Sequence, residues 1–258
     1  MRELEATATV ASSLTLQHPL EETLAAVAEQ IRAATSVTAC AIIAFDEELA
    51  GGYAVLATGA ALGRGCGPLV VRRRDRDDLG ELRALRERTV AVPGLRTTAW
   101  RLLQAFAPEV RPIAMRFDRV MPAVAAGEVD AGLVIHEGRF TFAEHGLACI
   151  ADLGELWEAD TGLPVPLGVI TARRSLVETG AIESAIGASV AAAFADPSRS
   201  RAWVKSLAQE LADDVIERHI ALYVNASSRG LMEEDRRAIE TLLRRCGCTA
   251  SPWRRAQD

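Results

Sequence analysis

The sequence predicts an α/β fold, and three observations support this. From residue 89 onward, short apolar segments alternate with amphipathic helical segments, as in "TVAVPG", "TTAWRLLQAFA" and "RPIAMRF". The connections between them are short, which favours a layer of helices on a parallel sheet. Apolar residues make up 49% of the 258 residues, enough for the core of one large domain or of two lobes.

The composition indicates which binding partners and which cellular compartment to expect. The net charge is −6, so nucleic acid is not the expected partner, because phosphate binding requires a basic field. No secretory signal opens the sequence and the longest apolar runs are too short to span a bilayer, which predicts a cytoplasmic protein without membrane contact. The five cysteines are odd in number and scattered, as expected of free thiols in a reducing compartment.

The segments before residue 89 differ in residue pattern from the rest of the chain. Residues 1–48 are typical of helix, helix and strand, with "HPLEETLAAVAEQIRAA" followed by "VTACAIIAF". A glycine-rich segment follows, with short strands at Tyr53–Leu56 and Pro68–Val71. Its glycines at positions 63, 65 and 67 fit either a tight chain crossing or a close backbone approach to a ligand. The run "RRRDRDDLGELRALRER" is expected on the surface.

The α/β layer then follows in order. The strand "TVAVPG" precedes a helix whose inward face carries Ala99, Leu102, Leu103 and Phe106. The strand "RPIAMRF" precedes the helix "DRVMPAVAAG", with Asp118 at its start and Gly127 past its end. "VDAGLVI" is the third strand, "DLGELWEADTG" a further helix, and "LPVPLGVITARR" a further strand. Four helices are expected in the remainder.

Polar residues follow two of these strands. His136, Glu137 and Arg139 come after "GLVI", and Thr97 and Thr98 come after "TVAVPG". Ligands of parallel α/β sheets bind beyond the carboxyl ends of the strands. The threonines and the first N–H groups of their helix could bind a carboxylate, or Thr97 could be an ordinary N-cap.

His136 has two interpretations of its own. It could be a core histidine satisfied by hydrogen bonds, or a general base, since its unperturbed pKa of about 6.5 lets it accept a proton at neutral pH. Glu137 could orient it or face solvent, and Arg139 could pair with Glu137 or with a substrate. Zincin, nucleophile-elbow and P-loop motifs do not occur, and the four histidines have no metal-ligand spacing, so neither a metal nor a cofactor is expected.

Long stretches between Tyr53 and Asn225 resemble the 1,4-dihydroxy-6-naphthoate synthase family of the futalosine route to menaquinone. The stretches are "TGAALGRGCGPLVV", "VAVPGLRTTAWRLL", "RFDRVMPAVAAGEVDAGLVIHEGRFTF", "LACIADLGELWEADTGLPVPLGVITARR" and "HIALYVNA". The resemblance implies a two-lobed fold similar to type II periplasmic binding proteins, with a small-molecule carboxylate between the lobes. It further implies a cofactor-independent cleavage of cyclic dehypoxanthinylfutalosine to the naphthoate and a three-carbon fragment.

The resemblance also assigns roles to residues. His136 corresponds to the family's base, and Thr97 and Thr98 to the threonines that hold the substrate carboxylate. The predicted substrate-binding set is Thr97, Thr98, Gly63, Arg64, Glu137 and Arg139. Residues 75–163 would form the second lobe, and residues 49–74 with 164–258 the first.

The sequence departs from the family at its start. The family's first strand, its serine-proline-cysteine-proline-asparagine-aspartate turn and a later lysine-leucine-serine stretch do not occur, and residues 1–48 weakly resemble the opening of a GAF domain. The first lobe is therefore expected to be incomplete, the activity impaired, and an open sheet edge available for a homodimer. The alternative to an enzyme is a non-catalytic carboxylate-binding module on the same fold.

Overall fold

The computed structural model describes residues 53–174, 180–207, 212–248 and 252–253. The GAF-like assignment of residues 1–48 lies outside this part of the chain and stays a prediction. The strands of the described ranges are β1 Tyr53–Val55, β2 Ala61–Gly63, β3 Leu69–Arg73, β4 Thr89–Val92, β5 Arg111–Ala114, β6 Ala131–Val134, β7 Leu147–Asp152, β8 Val165–Gly168 and β9 Thr171–Arg173.

Helices alternate with these strands and then follow them. The α-helices of the described ranges are α1 Thr98–Phe106, α2 Phe117–Ala126, α3 Gly138–Thr141, α4 Leu153–Thr161, α5 Ala181–Ala195, α6 Ser198–Leu207, α7 Asp213–Tyr223, α8 Ala226–Arg229 and α9 Glu233–Arg245. The four helices expected after the last strand are confirmed as α5, α6, α7 and α9. Within the described ranges, no helix has the length and apolar character needed to cross a membrane.

Strands β3 to β7 form one sheet in the order β5-β4-β6-β3-β7. β4 pairs parallel with β5 and β6, whereas β3 pairs antiparallel with β6 and β7. The predicted parallel sheet is confirmed for β4, β5 and β6, whereas β3 runs against the other four strands. The strand–helix alternation behind that prediction begins only at residue 89, so it carried no information about β3.

Two helix layers cover this sheet, one on each face. Val70 packs with the core that contains Trp100 and Leu103 of α1 and Trp157 of α4. Its neighbours Leu69 and Val71 join the opposite core, formed with Val120, Ala123 and Val124 of α2. This alternation follows from the period of two in a strand, and the apolar stripes of the helices supply the covering layers.

The glycine-rich segment makes a tight chain crossing beside the sheet. A Cβ on Gly67 would lie 2.0 Å from the backbone nitrogen of Gly154, at the start of α4. A Cβ on Gly154 would in turn lie 2.5 Å from the nitrogen of Gly67. Of the two uses predicted for these glycines, the structure shows a close crossing at position 67.

The charged run after β3 is not wholly surface. Two short 3-10 turns, Asp77–Leu79 and Leu82–Leu85, carry its charges outward while Leu79 and Leu85 are fully buried. Charge density marks the exposed positions of such a segment but conceals its leucines, because each 3-10 turn is too short to show a clear apolar stripe.

The predicted strand "LPVPLGVITARR" is broken into two. β8 pairs antiparallel with β2, and β9 pairs antiparallel with β1. A bend that includes Gly59 separates β1 from β2. The φ of Gly59 is 77°, which an L side chain rarely adopts. Because of this bend, β8 and β9 cannot pair with one continuous strand. Strand β3 lies within residues 49–74, the range predicted for the first lobe, and it pairs inside the five-stranded sheet. The other predicted lobe boundaries stay a prediction.

Candidate functional site

One edge of the five-stranded sheet collects the polar residues. Because β4, β5 and β6 are parallel neighbours, the segments that follow them leave the sheet at the same edge. These segments carry Thr97 and Thr98 after β4, Phe117 after β5 and His136 after β6. The beginning of antiparallel β3 and the end of β7 lie at this edge too, which brings Gly67 and Asp152 to it.

His136 occupies a strained turn at the end of a fully buried strand. All four residues of β6 are buried, and His136 is the second residue after the strand, with a φ of 57°, which is uncommon outside glycine. Its residue surface is exposed, while the ring of Phe117 meets the imidazole edge-on at 5.2 Å between centroids. Strained backbone of this kind concentrates at functional sites, which makes His136 the centre of the candidate site.

The surroundings of His136 favour a neutral imidazole. Partial removal from water lowers its pKa below the ordinary 6.5, and the nearby His219 lowers it further, whereas the carboxylate of Glu137 raises it. The residue is exposed to solvent, while protein buries part of its imidazole. At neutral pH the imidazole can accept a proton.

Helix α7 brings a second histidine to the site, which the sequence did not predict. The ring centroid of His219 lies 6.2 Å from that of His136 and 4.6 Å from that of Tyr223. His219 and Tyr223 are four residues apart and share one helix face, a spacing visible in "HIALY". Their proximity to His136 is a tertiary relationship, for which the sequence offers no local signal.

Glu137 is half-buried and acts on the site through its charge. It raises the pKa of His136 and of His219, and contributes to raising that of Tyr223. Burial is the larger cause for Tyr223, whose pKa rises to about 12, so the phenol keeps its proton. Among the contacts of the described residues, none is a hydrogen bond from Glu137 to His136, so the orienting role considered for Glu137 gains no support.

The two threonines use their hydroxyl groups within the protein. Oγ1 of Thr97 caps α1, accepting from the Trp100 N–H at 3.2 Å and donating to the Gly94 carbonyl at 2.8 Å. Oγ1 of Thr98 donates to the Leu167 carbonyl at 3.2 Å. The N–H groups of Thr98 and Ala99 belong to the first turn of the helix, where no carbonyl four residues back exists within the helix.

Arg139 is part of a half-buried ion pair. Its guanidinium donates to the carboxylate of Asp152 and, at 2.6 Å, to the Gly67 carbonyl. Asp152 is the N-cap of α4 and accepts from the N–H groups of Gly154 and Glu155. The sequence considered Glu137 or a substrate as partner of Arg139; the structure pairs it with Asp152.

Gly63 and Arg64 lie at the end of β2. A Cβ on Gly63 would approach Sγ of Cys66 to 2.8 Å and the amide nitrogen of Asn225 to 3.4 Å. The Arg64 guanidinium donates to the Gly162 carbonyl at 2.9 Å and pairs with Glu234 at the start of α9. The contacts of Arg64 are thus to α9 and the end of α4, and differ from the contacts of His136.

A metal centre has no support in the described ranges, where no group of three or more His, Cys, Asp or Glu residues could hold an ion. The chemistry that the arrangement does provide is proton transfer. A neutral imidazole opens toward solvent beside a second imidazole, a carboxylate and a protonated phenol.

Comparisons with known proteins find relatives of this chain by sequence. The chain matches the family model described as menaquinone biosynthesis over residues 14–247, which includes most of residues 1–48. It is 49% identical over 192 residues to the 1,4-dihydroxy-6-naphthoate synthase of Thermus thermophilus, covering 74% of this chain and 68% of that protein.

Solved structures extend the likeness to three dimensions. A crystal structure of an Archaeoglobus fulgidus protein superposes with a TM-score of 0.69 at 33% identity, covering 76% of this chain and 72% of that one. The alkanesulfonate-binding protein of Xanthomonas axonopodis gives a TM-score of 0.53 at 17% identity, over 78% and 72%. The second similarity concerns the fold alone, and it confirms the predicted resemblance to periplasmic binding proteins.

Proposed function

The chain belongs to the menaquinone-biosynthesis family, and from this premise we propose that it acts as a 1,4-dihydroxy-6-naphthoate synthase. The reaction would be a carbon–carbon cleavage of cyclic dehypoxanthinylfutalosine that needs no cofactor, as the resemblance of "IHEGRF" and its neighbouring stretches implies. The cytoplasmic location and a homodimer remain predictions of the sequence.

The observation that carries this proposal is the state of His136. Its imidazole stands at the carboxyl edge of the sheet, accessible from solvent, with its pKa lowered by partial burial. We assign it the role of general base, because a base must be unprotonated at working pH and within reach of the substrate. Its positive φ holds the ring at the end of β6 against the backbone's own preference.

The carboxylate of the substrate would bind at the start of α1. The hydroxyl groups of Thr97 and Thr98 already have protein partners, so the proposed donors are the backbone N–H groups of the first turn. Thr97 then serves binding indirectly, by fixing where the helix begins. The partial positive charge of a helix N-terminus favours a carboxylate at this position.

The remaining predicted contacts differ in what they would require. Glu137 would act on the reaction by tuning the pKa of His136. Gly63 stays a proposed substrate contact, and a side chain at this position would crowd Sγ of Cys66. Arg64 and Arg139 stay proposed substrate contacts, but each guanidinium would have to exchange a protein partner to bind one.

Turnover by the purified chain tests the proposal. Cyclic dehypoxanthinylfutalosine would be supplied to the parent and to His136→Ala, with His145→Ala as control because His145 is an exposed histidine on a 3-10 turn. We expect the naphthoate from the parent and from the control, and a loss of about 100-fold or more in kcat for His136→Ala.

Two results would decide against it. If the folded parent protein makes no product, the proposed synthase activity is wrong. If His136→Ala turns over substrate as fast as the parent, His136 is not the general base. Calorimetric binding of the naphthoate distinguishes an enzyme from a non-catalytic carboxylate-binding module. If the protein is such a module, the parent and His136→Ala should bind the naphthoate equally well and neither should make product.

A further inference from the structure

His219 has a buried nitrogen without a partner. Its Nε2 is shielded from solvent and makes no hydrogen bond with any described residue. Buried polar atoms in folded proteins are nearly always paired, and an exception calls for an explanation. The ring is therefore the best candidate for a group that meets something other than the protein itself.

The ring of His219 is held in place from its own helix. Tyr223, one turn later on α7, packs against it at 4.6 Å between centroids. The preceding residue, Arg218, places its guanidinium over the ring of Phe140, 5.2 Å from its centroid. Phe140 lies in α3, directly after the turn that contains His136, so this contact fixes α7 beside the candidate site.

The rings of His136 and His219 lie beside each other. Their ring centroids are 6.2 Å apart, and Phe117 meets His136 on another side. The charged and titratable groups that face the pair are Glu137 from the turn before α3 and Tyr223 from α7 itself.

Burial also favours a neutral ring for His219. It lowers the pKa of the imidazole, and Glu137 opposes it. A neutral imidazole has one nitrogen that donates and one that accepts a hydrogen bond. Nε2 can therefore bind a hydroxyl group in either tautomer, and a carbonyl oxygen when Nε2 carries the proton.

We propose that His219 is a second catalytic residue, whose Nε2 forms a hydrogen bond with an oxygen of the substrate while His136 accepts the substrate's proton. This inference rests on the proposed function. The inference adds His219 of α7 to the proposed active site. The reacting part of the substrate would then lie between the end of β6 and a helix from a distant part of the sequence.

The test compares His219→Phe with His219→Gln in the full chain, measuring kcat and KM for cyclic dehypoxanthinylfutalosine. Phenylalanine keeps the ring packing on Tyr223 but has no nitrogen, whereas the glutamine amide reaches the position of Nε2. We expect His219→Phe to lower kcat by about 100-fold, the usual effect of removing one such hydrogen bond, and His219→Gln to lower it less than about 10-fold. His145→Phe is the matched control and should leave kcat unchanged.

Each remaining outcome has a defined meaning. An inactive parent overturns the proposed function, and this inference with it. An active parent with His219→Phe within about threefold of it overturns the role of His219 alone. Equal losses in His219→Phe and His219→Gln overturn the hydrogen bond from Nε2. If His219→Phe does not fold, His219→Asn replaces it, because the asparagine amide matches the position of Nδ1 and cannot reach that of Nε2.

Discussion

The guanidinium of Arg139 binds the carboxylate of Asp152, and this contact joins two helices at the candidate site. Arg139 lies in α3, which begins at Gly138 shortly after β6, while Asp152 caps α4 at the end of β7. The side chains keep only 16% and 8% of their surface exposed. Asp152 also accepts from the N–H groups at the start of α4, so its oxygens have partners on both sides.

Replacing Arg139 by methionine should lower the free energy of unfolding by about 3 kcal/mol, because it leaves the largely buried carboxylate of Asp152 without its cation. Methionine keeps an aliphatic side chain of similar length. Arg83→Met removes an exposed pair with Glu81 and should cost less than about 1 kcal/mol. Urea denaturation of the two variants checks this, and equal losses would contradict it.

The pH dependence of kcat/KM should follow His136. The pKa of its imidazole lies below 6.5, chiefly through burial, so the active neutral form persists into mildly acidic solution and activity should fall only below that pH. Glu137→Gln removes the charge that raises this pKa, and should move the acidic limb to still lower pH. A limb that moves upward in Glu137→Gln would show that another group titrates.

Gly67→Ala should lower the free energy of unfolding by at least about 3 kcal/mol. The new Cβ would meet the backbone of Gly154 at 2.0 Å, and backbone cannot rotate away as a side chain can. Gly168→Ala is the matched control, since a Cβ there has no atom within 4 Å, and its effect should stay within about 0.5 kcal/mol. Thermal and urea unfolding of both variants would measure the difference.

Thr97→Ala should cost about 1 kcal/mol of stability, the usual effect of losing an N-cap that accepts from the first turn. Thr97→Ser should restore most of it, because the serine hydroxyl can accept the same bond. If the hydroxyl itself held the substrate, Thr97→Ala would raise KM far beyond what its stability loss explains. Calorimetric melting combined with KM for the two variants separates these roles.

Helices were predictable where the apolar stripe was complete. α1 was expected with Ala99, Leu102, Leu103 and Phe106 facing inward. The first three are buried, and Phe106 is partly buried against the same core. Gly127 was expected past the end of α2 and has a φ of 73° there. Strand β7 was not predicted, because of its six residues only Leu147 is fully buried and the period-two signal is correspondingly weak.

The candidate site was predictable in part. His136 was recognisable because an apolar strand stops at a histidine, and Thr97 because it precedes an amphipathic helix. His219 and the Arg139–Asp152 pair were not, since each depends on chain segments that meet only after folding. Nothing in "ERHIALY" distinguishes a site histidine from a surface one.

The sequence by itself determined most of the strands and helices, the edge of the sheet at which polar residues collect, and the family. Local periodicity suffices for the elements and for this edge, because both depend on neighbours along the chain, and the family follows from the resemblance of long stretches. Only the tertiary structure decided that β3 runs against the other strands, that Gly67 crosses Gly154, and that His219 faces His136. These are contacts between distant segments, and packing selects them after the local elements have formed.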